Sequence, residues 1–288
     1  MAERTLGVIG GSGLYELPGL TDVERVRPKT PFGEPSDEIV VGRLGGTRLC
    51  FLPRHGRGHR ILPSELPFRA NVYALKTLGV DSILAVSAVG SLREEIVPGH
   101  LVVPNQFIDR TRGRTEESTF FGRGVVAHVQ FADPFCPVLS QALLGAARGA
   151  GATVHEGGTY VCMEGPAFST RAESHLYRSW GAQIIGMTNL QEAKLAREAE
   201  LCFATLALAT DYDCWHASHD DVHIEDILKI IAANADLARQ TVAGLAPALP
   251  ERTGCPCPTA LATAIITDRA TIPPQVKRDL APIAGKYL

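Results

Sequence analysis

Two carboxylates at the end of an apolar run are well placed for acid–base chemistry. Residues 201–209 are almost wholly apolar, as expected of a parallel strand covered by helices on both faces. If the chain stays extended, Asp211 and Asp213 project from one face, with backbones about 7 Å apart. Partial burial and mutual repulsion would raise the pKa of one carboxyl and make it a general acid, while the other stays an ionised acceptor. Asp is also common in turns and helix caps, so a structural role is equally open.

A glycine-rich loop follows the first predicted strand. Residues 6–13 are typical of a short strand that runs into Gly-Gly-Ser-Gly, whose amides could surround an anion while Ser12 adds a hydroxyl donor. The dinucleotide pattern G-x-G-x-x-G fails because its third glycine position holds Glu16, and no Walker A lysine follows. A glycine turn that serves only to reverse the chain is the alternative.

Two further loops carry hydrogen-bond donors directly after apolar strands. Residues 53–60 combine Arg54 and His55 with glycines, and the planar fork of Arg with a second donor from His favours an oxyanion over a merely solvated basic loop. Residues 87–93 begin with Ser87 and add a second hydroxyl and a glycine. Because strand ends of this kind meet at the carboxyl edge of a sheet, we expect a ligand there.

The loop before a predicted helix offers an aromatic ring. Thr170 and Glu173 fit a capping box, so part of the polarity of this loop is structural. Phe168, exposed at the strand-to-helix turn, could stack on a planar ring, although a core role is equally open. A lone His128 would ordinarily be a surface histidine.

These pieces indicate two adjoining sites. Phe168 and the Asp pair make a planar-base site, and a phosphate site is predicted from Ser12, Arg54, His55, Ser87 and Thr188. Phosphate beside an aromatic base and a proton donor suggests nucleoside phosphorolysis.

Composition excludes several other classes. The 288 residues are 45% hydrophobic and 20% charged, enough for a sizeable core in a globular protein. A net charge of -3 gives no basic excess for nucleic acid, so small molecules are the expected partners. Without a signal-peptide pattern or an 18-residue apolar run, we expect a cytoplasmic protein with no membrane partner.

The cysteines do not predict a metal site. Seven cysteines are scattered along the chain without the C-x-x-C spacing that would suggest zinc, so most are expected to be core thiols. Cys255-Pro256-Cys257 could form a disulfide, but plain thiols are the favoured interpretation in a reducing cytosol.

The pattern of elements predicts the fold class. Apolar strands alternate with helical segments such as 66–78, 138–149 and 224–242, which indicates an α/β protein. We expect a single domain with a central, twisted, mostly parallel mixed sheet flanked by helices. Residues 1–250 would form its main part, and residues 251–288 a helical C-terminal tail packed on the same domain.

Linked motifs along residues 6–245 resemble one family. They are Gly10-Gly-Ser-Gly13, Thr30-Pro-Phe-Gly33, Arg54-His-Gly-Arg57 with His59, Gly90-Ser-Leu-Arg-Glu-Glu95, Gln106-Phe-Ile-Asp-Arg110, Asp133-Pro-Phe-Cys136, Glu164-Gly-Pro-Ala-Phe-Ser169 with Arg171-Ala-Glu-Ser174, and Thr210-Asp-Tyr-Asp-Cys-Trp215. In this order they resemble the methylthioadenosine phosphorylase branch of the trimeric purine nucleoside phosphorylase family.

The resemblance implies a nucleoside phosphorylase-like fold and a reaction. That reaction is phosphorolysis of S-methyl-5'-thioadenosine to adenine and 5-methylthioribose 1-phosphate, with inorganic phosphate as co-substrate and no metal or organic cofactor. It implies that phosphate is held by Ser12, Arg54, His55, Ser87, Ala88 and Thr188. The nucleoside residues that it implies are Phe168, Ser169, Met187, Asp211, Asp213, Ile224 and Ile227, with His128 supplied by a neighbouring subunit of a homotrimer or a hexamer. In this assignment Asp211 protonates N7 of the base and Asp213 supports the 6-amino group.

Substrate choice follows from chemistry near the base. A carboxyl at Asp211 suits a 6-aminopurine, whereas the 6-oxopurine enzymes of the family have Asn there and Glu at the Ser169 position. Apolar Ile224 and Ile227 would accept a methylthio group better than a hydroxyl, although their bulk relative to the family's valines leaves 5'-deoxyadenosine open. The family's Met-Thr-x-x-Pro-Glu run lacks its proline at 187–192.

Three rival hypotheses stay open at this point. A hydrolytic nucleosidase would use water and would not need an anion site. A 6-oxopurine phosphorylase would turn over inosine or methylthioinosine. A non-catalytic purine-nucleoside sensor would bind ligand without turnover.

Overall fold

In the computed structural model of the protein, the described residues are 4–11, 14, 17–216 and 224–288, with the backbone alone described at 224–229 and 231–233. The strands are β1 (Thr5–Gly10), β2 (Thr21–Val26), β3 (Ile39–Leu44), β4 (Thr47–Pro53), β5 (Ser82–Ser91), β6 (Leu101–Val103), β7 (Gln106–Arg110), β8 (Val154–Glu156), β9 (Thr159–Met163), β10 (Ile184–Gly186) and β11 (Cys202–Asp211). The helices are α1 (Phe68–Thr77), α2 (Pro137–Gly149), α3 (Arg171–Ser179), α4 (Asn189–Glu198), α5 (Ile224–Leu245), α6 (Pro274–Asp279) and α7 (Ala281–Ala284).

The strands join in one mixed, mostly parallel sheet, as the sequence predicted. Its main path runs β2-β3-β4-β1-β5-β10-β9-β7, and β11 pairs with β5 and with β6, which in turn pairs with β8. The strand β5 is the branch point: its first half pairs in parallel with β1, its last residues pair antiparallel with β10, and β11 runs parallel along its whole length. The branch opens space between strand ends, where the site described below lies.

Successive side chains of the central strands belong alternately to two apolar cores. In β5, Ile83 and Ala85 belong to one cluster of buried residues, whereas Leu84 and Val86 belong to another. The period of two sends successive side chains to opposite faces of the sheet, so both faces are covered by helices. This is why residues 201–209 form a continuous apolar run.

The C-terminal tail packs against these same cores. Leu261, Ile265, Ile272 and Leu280 contribute to the cluster on one face, and Cys257 contributes to the cluster on the other. The short helices α6 and α7 lie in this tail. Among the helices described, none combines the length and the apolarity needed to span a bilayer.

Candidate active site

A cavity of about 570 Å³ opens where strands β1, β4, β5, β10 and β11 present their ends and loops. The parallel strands β1 and β4 end together, and the backbone N–H of Arg54 continues their ladder by donating to the carbonyl of Gly10 at 2.9 Å. The predicted site residues that line this cavity are Arg54, His55, Ser87, Ala88, Phe168, Met187, Thr188, Asp211 and Asp213. One space therefore receives both the predicted phosphate donors and the predicted acids.

The two aspartates meet through a turn and not along an extended strand. The strand β11 ends at Asp211, and Asp213 has a left-handed backbone with φ of 52°. The Asp213 N–H donates to Oδ1 of Asp211 at 2.7 Å, which closes an Asx turn. The expectation of continuous extension was wrong because this side-chain-to-backbone hydrogen bond competes with the strand. Both residues nevertheless line the cavity.

Burial sets the ionisation of this pair. It raises the pKa of the Asp211 carboxyl, while hydrogen bonds from the Thr210 hydroxyl to Oδ2 at 2.7 Å and from Asp213 N–H oppose the rise. Burial also raises the pKa of Asp213, and the charge of Asp211 adds to this rise. Oδ2 of Asp213 is buried and has no hydrogen-bond partner among the described residues. The pair can thus supply a proton and an acceptor to a ligand.

Gly90 leaves room for the acids. A Cβ atom at this position would lie 3.1 Å from Oδ1 of Asp211 and 3.3 Å from Cβ of Asp213. Such distances are tighter than ordinary van der Waals contact, so any larger side chain would push the carboxyls away. The glycine at this point of β5 therefore fixes how close the strand approaches the turn.

The guanidinium of Arg54 is largely occupied by the protein itself. It donates to the carboxylate of Glu192 through Nε at 2.5 Å and through Nη2 at 3.1 Å, and to the carbonyls of Val86 and Ile9. Arg54 is 3% exposed and Glu192 is 1% exposed. Four of the five N–H groups have partners among the described residues, so the charge that the sequence assigned to an oxyanion is neutralised by Glu192.

His55 offers the cavity an acceptor instead of the donor that the sequence predicted. Its Nδ1 lies 2.8 Å from the carbonyl of Ile61, which can only accept, so Nδ1 carries the proton. Burial lowers the pKa of His55 to about 4, and its ring stacks on His59 with centroids 4.2 Å apart. A neutral imidazole with a protonated Nδ1 presents a lone pair at Nε2.

Neutral donors complete this end of the cavity. Ser87 and Ala88 lie in β5, beside β11, where Ser87 pairs with Ala207. Thr188 is buried and is the N-cap residue of α4, so the positive end of that helix dipole adjoins the cavity. Hydroxyls and a helix N-terminus attract an anion without placing a full positive charge beside it.

Phe168 and Met187 also line the cavity. Phe168 is 48% exposed, which excludes a core role and leaves its ring face available. Ser169 lies behind the lining: its hydroxyl donates to the sulfur of Met163 at 3.8 Å, and its carbonyl accepts from the Cys214 thiol at 3.2 Å.

A profile of the phosphorylase superfamily matches residues 5–246. The chain belongs to this superfamily. It is 61% identical over 286 residues to the S-methyl-5'-thioadenosine phosphorylase of Geobacter sulfurreducens, covering 99% of this chain and all of the relative. The corresponding enzyme of Koribacter versatilis is 56% identical over 285 residues, with 99% and 97% covered.

Solved structures agree with this membership. A methylthioadenosine phosphorylase from an antarctic soil metagenomic library superposes with a TM-score of 0.92 at 49% identity, covering 98% of this chain and 99% of the other. A mutant adenosine/methylthioadenosine phosphorylase from Schistosoma mansoni, in complex with methylthioadenosine, gives a TM-score of 0.80 at 38% identity, with 86% and 91% covered.

A network of hydrogen bonds around Arg114, which the sequence did not predict, supports two loops of the site. The buried Arg114 donates to the carbonyls of Met187 and Glu164 and, at 3.2 Å, to the carboxylate of Glu164, so it holds the two loops that carry Met187 and Phe168. It also donates to the side chain of Gln191 at 3.3 Å. Gln191 belongs to the 187–192 run for which the resemblance implies a proline, and Thr188 of the same run lines the cavity.

Of the other predicted site residues, Ser169 and His128 are described and do not line the cavity, whereas Ser12 and the side chains of Ile224 and Ile227 lie outside the described part of the chain. Ser12 lies outside the described residues, although Gly11 and Leu14 on either side of it line the cavity. The side chains of Ile224 and Ile227 are likewise outside them, and α5 reaches the cavity through Ala235 and Ala238. His128 is exposed away from the cavity, with its N–H donating to the carbonyl of Ala264 at 2.9 Å.

Proposed function

We propose that this protein catalyses the phosphorolysis of S-methyl-5'-thioadenosine to adenine and 5-methylthioribose 1-phosphate. One observation carries the proposal: a buried acid with a raised pKa shares a 570 Å³ cavity with a set of neutral anion donors. The names of the relatives supply the substrate, since both bacterial relatives described above are S-methyl-5'-thioadenosine phosphorylases.

The purine occupies the end that holds the acids. Asp211 in its neutral form gives its proton to N7 as the base leaves, and the buried Oδ2 of Asp213 accepts a hydrogen bond from the 6-amino group. Phe168 covers the purine face with its exposed ring. A 6-oxopurine would present an acceptor to this acceptor, which is unfavourable.

Phosphate occupies the opposite end. The hydroxyls of Ser87 and Thr188, the backbone at Ala88 and the remaining N–H of Arg54 donate to its oxygens, and Ser12 is expected to join them. His55 accepts a hydrogen bond from the P–OH group of the phosphate at Nε2. The anion is thus recognised by donors and by one acceptor, which selects a partly protonated tetrahedral oxyanion.

The reaction follows from these positions. The bond between C1′ and N9 breaks as positive charge builds on the sugar, and the electron pair goes to the purine. A phosphate oxygen held beside C1′ stabilises that charge and then bonds to the carbon. The proton from Asp211 ends on N7 of adenine. Phosphate meets the positive charge and Asp211 meets the negative charge, so we propose that no metal or organic cofactor takes part.

The sugar lies against Met187, and its 5′ end faces α5. Ala235 and Ala238 line this side with small apolar groups, and Ile224 and Ile227 are expected to flank the 5′ substituent. An apolar wall accepts a methylthio or a methyl group better than a hydroxyl. We therefore expect activity on 5′-deoxyadenosine as well, with adenosine the poorer substrate.

We further propose a homotrimer in which His128 reaches the neighbour's sugar pocket. The segment that carries it is held to the tail by a bridge between Ala127 and Ile265, and next to it Val126 and Ile266 expose large apolar side chains. Mixing inactive Asp211→Asn chains with inactive His128→Ala chains should restore activity, because some interfaces then combine both intact residues. Mixtures that stay inactive although subunits exchange would contradict this assembly.

A phosphate-dependent assay tests the function. Adenine release from methylthioadenosine should require phosphate, should continue with arsenate, and should exceed base release from methylthioinosine and inosine. Release at the same rate without phosphate would indicate a hydrolase. Inosine turnover that matches methylthioadenosine turnover would indicate a 6-oxopurine phosphorylase, and tight binding without turnover would indicate a sensor.

A further inference from the structure

Four cysteines that are distant in sequence converge behind the sheet. The sulfur atoms of Cys136, Cys202, Cys255 and Cys257 all lie within 4.8 Å of one another. Three elements supply them: Cys136 is the N-cap residue of α2, Cys202 begins β11, and Cys255 and Cys257 belong to the tail. The other cysteines of the chain take no part in this cluster.

The distances suit a single tetrahedral ion. With Zn–S bonds of about 2.3 Å, neighbouring sulfurs of a tetrahedral site are about 3.8 Å apart. Cys202 and Cys255 are already 3.6 Å apart, and the largest separation exceeds the ideal by only about an ångström. Cys136, Cys202 and Cys257 are at most 3% exposed, whereas Cys255 is partly exposed and gives an ion a way in.

Positive groups lie beside the cluster. Cys136 is the N-cap residue of α2, so the positive end of that helix dipole adjoins it. Arg252 lies next to Cys255, whose thiol donates to the Arg252 carbonyl at 3.5 Å, and the buried Nε of Arg252 has no hydrogen-bond partner among the described residues. Four thiolates around one Zn²⁺ carry a net charge of about −2, which a nearby cation and a helix N-terminus would offset.

We propose that Cys136, Cys202, Cys255 and Cys257 bind one structural zinc ion, which fastens the C-terminal tail to the sheet. The four thiols lose their protons when the ion binds, and the site is closed because all four positions are filled by sulfur. The ion has no part in the reaction. It supports the tail, and the tail in turn holds the backbone of His128 through the carbonyl of Ala264.

Metal analysis of the untagged, full-length protein tests the proposal. Protein purified with a reducing agent, loaded with zinc and dialysed against a weak chelator should retain about one zinc per chain. Loading with Co²⁺ should give sulfur-to-metal charge-transfer absorption and the visible bands of tetrahedral cobalt. Cys255→Ser should abolish most of this binding, whereas the control Cys50→Ala, which removes a buried thiol from another strand, should not change it.

Three results would overturn the proposal. The first is reduced protein that retains no zinc and gives no cobalt charge-transfer bands. The second is unreduced, denatured protein in which only three of the seven cysteines react with a thiol reagent, since the four clustered sulfurs would then be disulfides. The third is a Cys255→Ser variant that keeps a full zinc ion. If that variant does not fold, the cobalt spectrum of the unmodified protein decides. Phosphorylase activity is a separate readout and does not bear on this outcome.

Discussion

Buried carboxyl groups in and behind the cavity lining have opposite electrostatic surroundings. Glu192 lies behind the lining, is 1% exposed, and pairs through two hydrogen bonds with the guanidinium of Arg54, a lining residue of the proposed phosphate site. The carboxyl of Asp211 accepts hydrogen bonds from the Thr210 hydroxyl and from the Asp213 N–H, and neither Asp211 nor Asp213 forms an ion pair with a cation among the described residues.

The difference separates a structural acid from a reactive one. The ion pair of Glu192 with Arg54 holds the loop after β4 against α4. A carboxyl that is buried without a cation keeps its proton to higher pH and can release it to a ligand. We therefore expect that substitution of Glu192 lowers the stability of the protein, whereas substitution of Asp211 lowers its turnover.

The largest expected effect is on turnover. Asp211→Asn should lower kcat by about 10²- to 10⁴-fold with little loss of binding, because no proton reaches N7. The measurement is the steady-state release of adenine from methylthioadenosine. Glu198→Gln is the matched control, since burial also raises the pKa of Glu198 to about 7 but its carboxylate accepts from Thr119 and Phe120 outside the cavity lining. A near-normal kcat in Asp211→Asn would end the assignment.

Breaking the buried ion pair should mainly affect stability. Glu192→Gln leaves the guanidinium of Arg54 buried without its counter-ion, which should lower the free energy of unfolding by about 3–5 kcal/mol. Urea unfolding measures this. The double variant Arg54→Met/Glu192→Leu removes both charges and should recover much of the loss. A loss below about 1 kcal/mol in the single variant would show that Arg54 finds other partners.

The pH dependence of stability should reveal the raised pKa of Asp211. Because the pKa of Asp211 is raised in the folded state, the native protein keeps a proton that the unfolded chain has lost, so stability falls as pH rises through this window. Asp211→Asn removes that penalty and should be more stable above the window, by about 1 kcal/mol. Unfolding followed from pH 4 to pH 8 checks this slope, and parallel curves for both proteins would contradict it.

The smallest of these effects is expected for Phe168, the exposed aromatic residue of the cavity lining. Phe168→Ala should raise KM for methylthioadenosine about two- to tenfold, as expected for the loss of one ring contact, and should leave the folded state intact because the ring is half exposed. Trp180→Ala is the control: Trp180 is 45% exposed but lies outside the cavity lining. Equal changes in KM for both variants would indicate a general effect on folding.

Much of this molecule could be predicted from patterns that are local in sequence. The apolar run before Asp211, the capping box of α3 at Thr170 and the alternation of strands and helices all depend on neighbours within a few residues, and the structure confirms them. The fold class followed from these patterns.

Contacts between distant residues could not be predicted in this way. Arg54 meets Glu192 across 138 residues, and Arg114 reaches Met187 across 73, so neither pairing leaves a periodic signal. The cysteine cluster was missed for the same reason, because the C-x-x-C rule considers only local spacing. The turn at Asp213 was missed because a side-chain hydrogen bond outweighed the strand pattern.

The pairing of Arg54 with Glu192 also has a consequence for product release in the proposed reaction. Because no unopposed cation of the described lining faces the proposed phosphate site, we expect the sugar phosphate to depart without separation of a strong ion pair. Attraction that depends on neutral hydroxyls and amides is little screened by dissolved ions. The KM for phosphate should therefore change less than about twofold between low and physiological ionic strength, and a steep change would show that a full positive charge guides the anion in.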